Sequence, residues 1–179
     1  MKTKRRLVPI FLTGLFLSAL LLTACRISVL PDETRKNEKD GEPTTCTLSI
    51  RCDNALGKTS EKADILPDDG VMLAETTVAF SEGESVFDVL YRETRERKIH
   101  MEFSETPLYG STYIEGIGNL YEFDCGSLSG WMYKVNGIFP QYGCSEYTVL
   151  EGDKIEWVYT CDLGKDVGCE DFSEEESEA

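Results

Sequence analysis

Seven cysteines and one histidine are the residues of this 179-residue chain best suited to do chemistry. Thiols make disulfides, hold zinc or attack substrates, and their spacing separates these uses. No Cys-x-x-Cys pair occurs, which argues against a zinc knuckle and against a thioredoxin-like redox helix start. Cys46, Cys52, Cys125, Cys144, Cys161 and Cys169 are an even set, read as structural disulfides, and six thiols admit fifteen pairings. Catalysis finds no support. His100 has no Ser, Cys or acid partner by motif, and Gly83-Glu84-Ser85 and Gly110-Ser111-Thr112 lack the Gly-x-Ser-x-Gly elbow. Thirty-three Asp and Glu leave no carboxylate pair standing out. Asp68-Asp69-Gly70 lacks the alternating acids and closing Glu of a calcium loop and reads as a turn. The expectation is a non-enzyme that needs no metal and no cofactor.

Aromatic residues offer binding chemistry instead. Phe139-Pro140-Gln141-Tyr142 is an apolar loop beside the Asn136-Gly137 turn, and Tyr109, Tyr113 and Tyr121 fall on loops or strand ends. Exposed aromatics with an amide nearby suit a flat apolar ligand carrying polar side groups. The expected contacts are Tyr113, Gly126, Ser127, Ser129, Phe139, Gln141 and Tyr142.

The elements that must position these residues begin after an export signal. Lys2, Lys4, Arg5 and Arg6 precede an apolar run from Leu7 to Leu22 and small residues at Thr23 and Ala24. Leu22-Thr23-Ala24-Cys25 resembles a bacterial lipobox. That resemblance implies a signal peptide over 1–24, acylation of Cys25 and an extracytoplasmic protein anchored to the membrane by lipid. Export also favours disulfides. Losing the four basic residues of the signal moves the formal charge from −15 to −19. Such a polyanion excludes nucleic acid binding by phosphate neutralisation. Residues 25–44 are polar and read as a flexible tether, reaching about 60 Å at about 3.3 Å per residue. Residues 169–179 read as an acidic disordered tail, which leaves 45–168 as the folded domain.

Within that domain, Cys46 to Cys52 alternates with period two, so Cys46, Leu48, Ile50 and Cys52 share one strand face. The segment from Asn54 to Asp69 is polar and mixed, with room for one short helix. Thr76 to Phe80 reads as a strand. Ser85-Val86-Phe87-Asp88 is a capping-box helix start, with Val86, Val89 and Leu90 as the buried stripe. Strands follow near Ile99–Phe103 and Tyr113–Ile117, separated by a loop with Pro107. Trp131 to Asn136 is a strand with Trp131, Tyr133 and Val135 on one face. The Asn136-Gly137 turn comes next, then Glu146–Leu150. Lys154 to Cys161 is the last strand, with Ile155, Trp157 and Tyr159 inward. One helix across a small mixed sheet is an α+β fold.

Gly130-Trp131-Met132-Tyr133-Lys134-Val135-Asn136-Gly137, with Gly143, Tyr147 and Gly152-Asp153-Lys154-Ile155-Glu156-Trp157, resembles domain of unknown function 4430, the transcobalamin-like C-terminal domain. The same layout closes the β-domain of the eukaryotic cobalamin carriers. The resemblance implies a grasp-like sheet whose first and last strands are parallel neighbours. It implies disulfides between Cys52 and Cys161 and between Cys125 and Cys144. Cys46 and Cys169 remain for a third pair that it does not fix. As ligand it implies cobalamin or another corrinoid, with His100 either a cobalt ligand or a locally bonded strand residue. The helical barrel that forms half of the carriers' cleft has no counterpart in this sequence, so a transporter or a helical-barrel partner is expected to share the ligand. The competing expectation is a surface module that binds protein or glycan and takes no small molecule.

Overall fold

The computed structural model of the chain describes residues 42–59, 61–106 and 110–169. The expectations for the signal, Cys25, most of the tether, Pro107, Tyr109 and the acidic tail beyond Cys169 concern residues outside these.

Seven strands and one helix are built from the described residues. They are β1 (Thr45–Arg51), β2 (Val71–Ala79), α1 (Val86–Arg97), β3 (Met101–Thr106), β4 (Ser111–Ile117), β5 (Leu120–Tyr121), β6 (Gly130–Val135) and β7 (Lys154–Thr160). They form two sheets rather than the single sheet expected. The four-stranded sheet has the order β2-β1-β7-β6, and the three-stranded sheet has the order β3-β4-β5. The expected parallel pairing of first and last strands is present, running from Thr47 opposite Lys154 to Arg51 opposite Val158. β2 pairs antiparallel with β1 through register irregularities between Leu48 and Arg51.

Residue alternation dictates the core. Leu48 and Ile50 of β1, Trp131, Tyr133 and Val135 of β6, and Ile155, Trp157 and Tyr159 of β7 are all buried. Helix α1 adds Val86, Val89 and Leu90 to the same cluster. Its start is the expected capping box: Ser85 Oγ accepts the Asp88 N–H, and the Asp88 carboxylate accepts the Ser85 N–H at 2.8 Å. The buried Glu93 is held between Arg92 at 2.9 Å and Arg97 at 3.1 Å. The Asn136-Gly137 turn is left-handed at both residues, φ 54° and 82°, as its residue types favour.

Three segments differ from the sequence reading. Among the described residues from Asp53 to Asp69 the one helical element is a 3-10 turn, Asp53–Ala55. The two-residue β5 carries too short a run to show alternation, yet it pairs Ile117 with Leu120 and Gly116 with Tyr121. Glu146–Leu150 forms no strand; its one ladder contact is a bridge between Thr148 and Ser85.

Candidate functional site

A groove of about 370 Å³ opens where the loop between β5 and β6 meets the loop after β7. β4 contributes Tyr113, the first loop Phe123 and Ser127 to Ser129, β6 Gly130 to Met132, β7 Thr160, and the second loop Leu163. Its rim is apolar and open to solvent: Phe123 is 60% exposed, Leu163 59% and Leu128 44%. Phe123 and Leu163 also have left-handed backbones, φ 68° and 46°. Such a conformation costs a bulky L-residue on the order of 1–2 kcal/mol. Backbone hydrogen bonds hold both in place: Phe123 N–H donates to Ser129 O at 3.0 Å and Leu163 N–H to Leu128 O at 2.9 Å. The Leu163–Leu128 bond therefore ties the two loops together, and their left-handed residues present apolar side chains to solvent.

The polar groups beneath are mostly committed. Ser129 Oγ donates to Gly126 O and accepts from Cys125 N–H and the Tyr159 hydroxyl. Thr160 Oγ1 donates to Asp166 and accepts from Gly164 N–H. At the rim the Tyr113 hydroxyl donates to Glu122 Oε2 at 2.5 Å. Burial, followed by that bond, raises the Tyr113 phenol well above its ordinary range, so it stays protonated. The groove is thus an apolar slot with a phenol at one edge.

Of the residues singled out by sequence, Tyr113, Ser127 and Ser129 line the groove, and Gly126 makes the turn into it at φ 109°. Phe139, Gln141 and Tyr142 are not among its walls. Phe139 lies under the Lys134 ammonium, and Tyr142 stacks on Tyr147 with ring centroids 5.9 Å apart. Sequence reasoning passed over Phe123, Leu128 and Leu163, whose only signal is a large apolar residue between turn residues. His100 immediately precedes β3, where its Nε2 meets Tyr121 Oη at 2.8 Å and Glu102 Oε1 at 3.1 Å. It is locally bonded and is not among the groove's lining residues.

The structure does not show the expected disulfides: Cys46, Cys52, Cys125, Cys144, Cys161 and Cys169 are free thiols in it. Cys46 begins β1 next to Asp153, whereas Cys169 packs against Gly164 beyond the far end of β7. About 20 Å of strand lies between them. Cys144 donates to Thr112 O at 3.5 Å, away from Cys125. Cys161 turns from Cys52 to Asn54 O at 3.1 Å and makes a thiol contact with Cys125. Burial pushes the Cys46 and Cys52 thiols up to about 11 and those of Cys144 and Cys161 up to about 12, so they are neutral near pH 7. Among the described residues no group of three or more His, Cys, Asp or Glu is gathered to hold a metal ion.

Residues 83–161 match the family model of domain of unknown function DUF4430, the family whose motif stands at Trp131 to Trp157. No curated protein matches the sequence. Among solved structures, haptocorrin in complex with Cbi is similar at 14% identity and a TM-score of 0.49, over 69% of this chain. The match spans 27% of the haptocorrin chain's length. A protein from Ruminococcus gnavus ATCC 29149, provisionally described as metal binding, is similar at 17% identity and a TM-score of 0.41, over 66% of this chain and 97% of that one.

Proposed function

We propose that this chain is an extracytoplasmic lipoprotein, anchored through Cys25, whose domain binds a flat molecule carrying polar side groups without catalysis, a corrinoid being the first candidate. The observation that carries the reading is the groove itself. Three exposed apolar side chains ring it, and two of them are held in strained backbone conformations by the loops that form it. Strain of this kind is concentrated at ligand sites, where the surrounding structure over-determines it. The resemblance to the β-domain of cobalamin carriers supplies the ligand class, and the lipobox supplies the anchor.

At about 370 Å³ the groove is at the small end of ligand sites. It would grip one edge of a corrinoid and leave the opposite face to a transporter or helical-barrel partner. Titrating the full chain with cyanocobalamin and hydroxocobalamin, read by absorbance and calorimetry, tests this. Saturable binding near micromolar affinity is expected, weakened in Leu128→Ser. Absence of binding, or binding indifferent to Leu128→Ser, rejects the groove as a corrinoid site. Because His100 is engaged by Tyr121 and Glu102, binding is expected without replacement of a cobalt ligand by imidazole.

A second reading rests on Tyr142. Its ring is 49% exposed and stacked on Tyr147 beside the exposed Gln141, a platform of the kind that meets the flat face of a sugar. A glycan-binding surface module would be favoured by binding to a glycan array that is lost in Tyr142→Ala and kept in Leu128→Ser.

A further inference from the structure

A second and smaller cavity, about 130 Å³, adjoins the groove: Tyr113 and Trp131 line both. Trp157 of β7 is in its wall, with Tyr133, Gly143 and Cys144. Trp157 is 2% exposed, and its indole Nε1–H has no hydrogen-bond partner among the described residues. A buried unpaired donor is costly, and native structures rarely tolerate one without a reason. The contrast with the other tryptophan is direct, since Trp131 Nε1–H donates to Leu120 O at 2.8 Å. Two other polar groups of the cavity are engaged: the Tyr133 hydroxyl donates to Tyr142 O at 2.8 Å and the Cys144 thiol to Thr112 O.

We propose that this cavity is a subsite for a neutral amide arm of the molecule held in the groove, with Trp157 Nε1–H donating to the arm's carbonyl oxygen. The proposal rests on the groove being a ligand site. Cavity size selects the arm. At about 30 Å³ per water, the space equals roughly four waters, room for a short side chain. Charge selects its chemistry. No Lys or Arg is in the lining, and the whole chain carries −15, so a carboxylate would lose its hydration without gaining a counter-charge. An amide brings the missing acceptor with no net charge. The wall is also firmly set. Thr112 N–H donates to Ser145 Oγ at 2.9 Å, and the Ser111 side chain occupies the place where a Cβ on Gly143 would stand.

The test uses the ¹⁵N-labelled full chain, whose two indole N–H signals are told apart with Trp157→Phe. Propionamide is expected to shift the Trp157 signal saturably and to leave that of Trp131 in place, while propionate at equal concentration does neither. In parallel, Trp157→Phe is expected to weaken cyanocobalamin binding about three- to tenfold, the range of one neutral hydrogen bond. No saturable shift with propionamide, an equal shift with propionate, or unchanged cyanocobalamin affinity in the variant overturns the subsite. If propionamide saturates Trp157 while cyanocobalamin does not bind the wild-type chain, the subsite stands and the corrinoid reading fails.

Discussion

Phe123 and Leu163 hold left-handed backbones although neither is a residue type that relieves the clash with its own Cβ. Their side chains are solvent-exposed and contribute little burial to offset that cost. Phe123→Gly separates the two roles. Glycine removes the backbone clash and also removes one wall of the groove. The expected result is an unfolding free energy from urea melts equal to wild type or higher by up to about 1 kcal/mol, together with weaker cyanocobalamin binding. Equal losses of stability and affinity would show Phe123 to be a packing residue instead. A positive φ at Phe or Leu leaves no trace in sequence, which explains why these walls were illegible. Tyr113, Ser127 and Ser129, expected as contacts from the sequence, do line the groove.

At the scale of elements, most of the fold could be read wherever burial imposes a period. Strand β6 alternates without interruption, β1 and β7 alternate apart from the buried Ser49 and Thr160, and α1 announces itself through Ser85 and Asp88. Ser85→Ala removes the acceptor for the Asp88 N–H and is expected to cost about 1 kcal/mol, measured as a lower urea midpoint with unchanged slope. Asp88→Asn should cost less, because an amide still accepts from the Ser85 N–H. Reading failed where pairing is decided by tertiary contacts. β2 begins at Val71, five residues before the sequence pattern settles, because irregular register with β1 breaks its alternation. β5 exists only because Gly116 leaves room for the Tyr121 ring, which a Cβ there would meet at 2.6 Å. The division into two sheets is likewise a property of which strands meet, and no single segment encodes it.

For the whole molecule, the buried neutral thiols set a response to alkali. The folded pKa values of Cys46, Cys52, Cys144 and Cys161 are raised from 9.0 to about 11 or 12, with burial the first cause. Above about pH 9 the unfolded chain therefore gives up protons that the folded chain keeps, and stability falls as pH rises toward the folded values. The contribution is complete below pH 9. Thermal melts under reducing conditions are expected to agree at pH 7 and 8 and to drop between pH 9 and 11; a flat profile there would mean that these thiols are not buried as described. The central parallel pair has a different consequence, one for the order of events. β1 ends at Arg51 and its partner β7 starts at Lys154, so the middle of the four-stranded sheet closes over a loop of about a hundred residues. Contacts so distant form slowly. A chain delivered from its N-terminus has only β2 to offer β1 until nearly all of it has emerged. The four-stranded sheet therefore closes only once β7 is available, near the end of the chain's emergence.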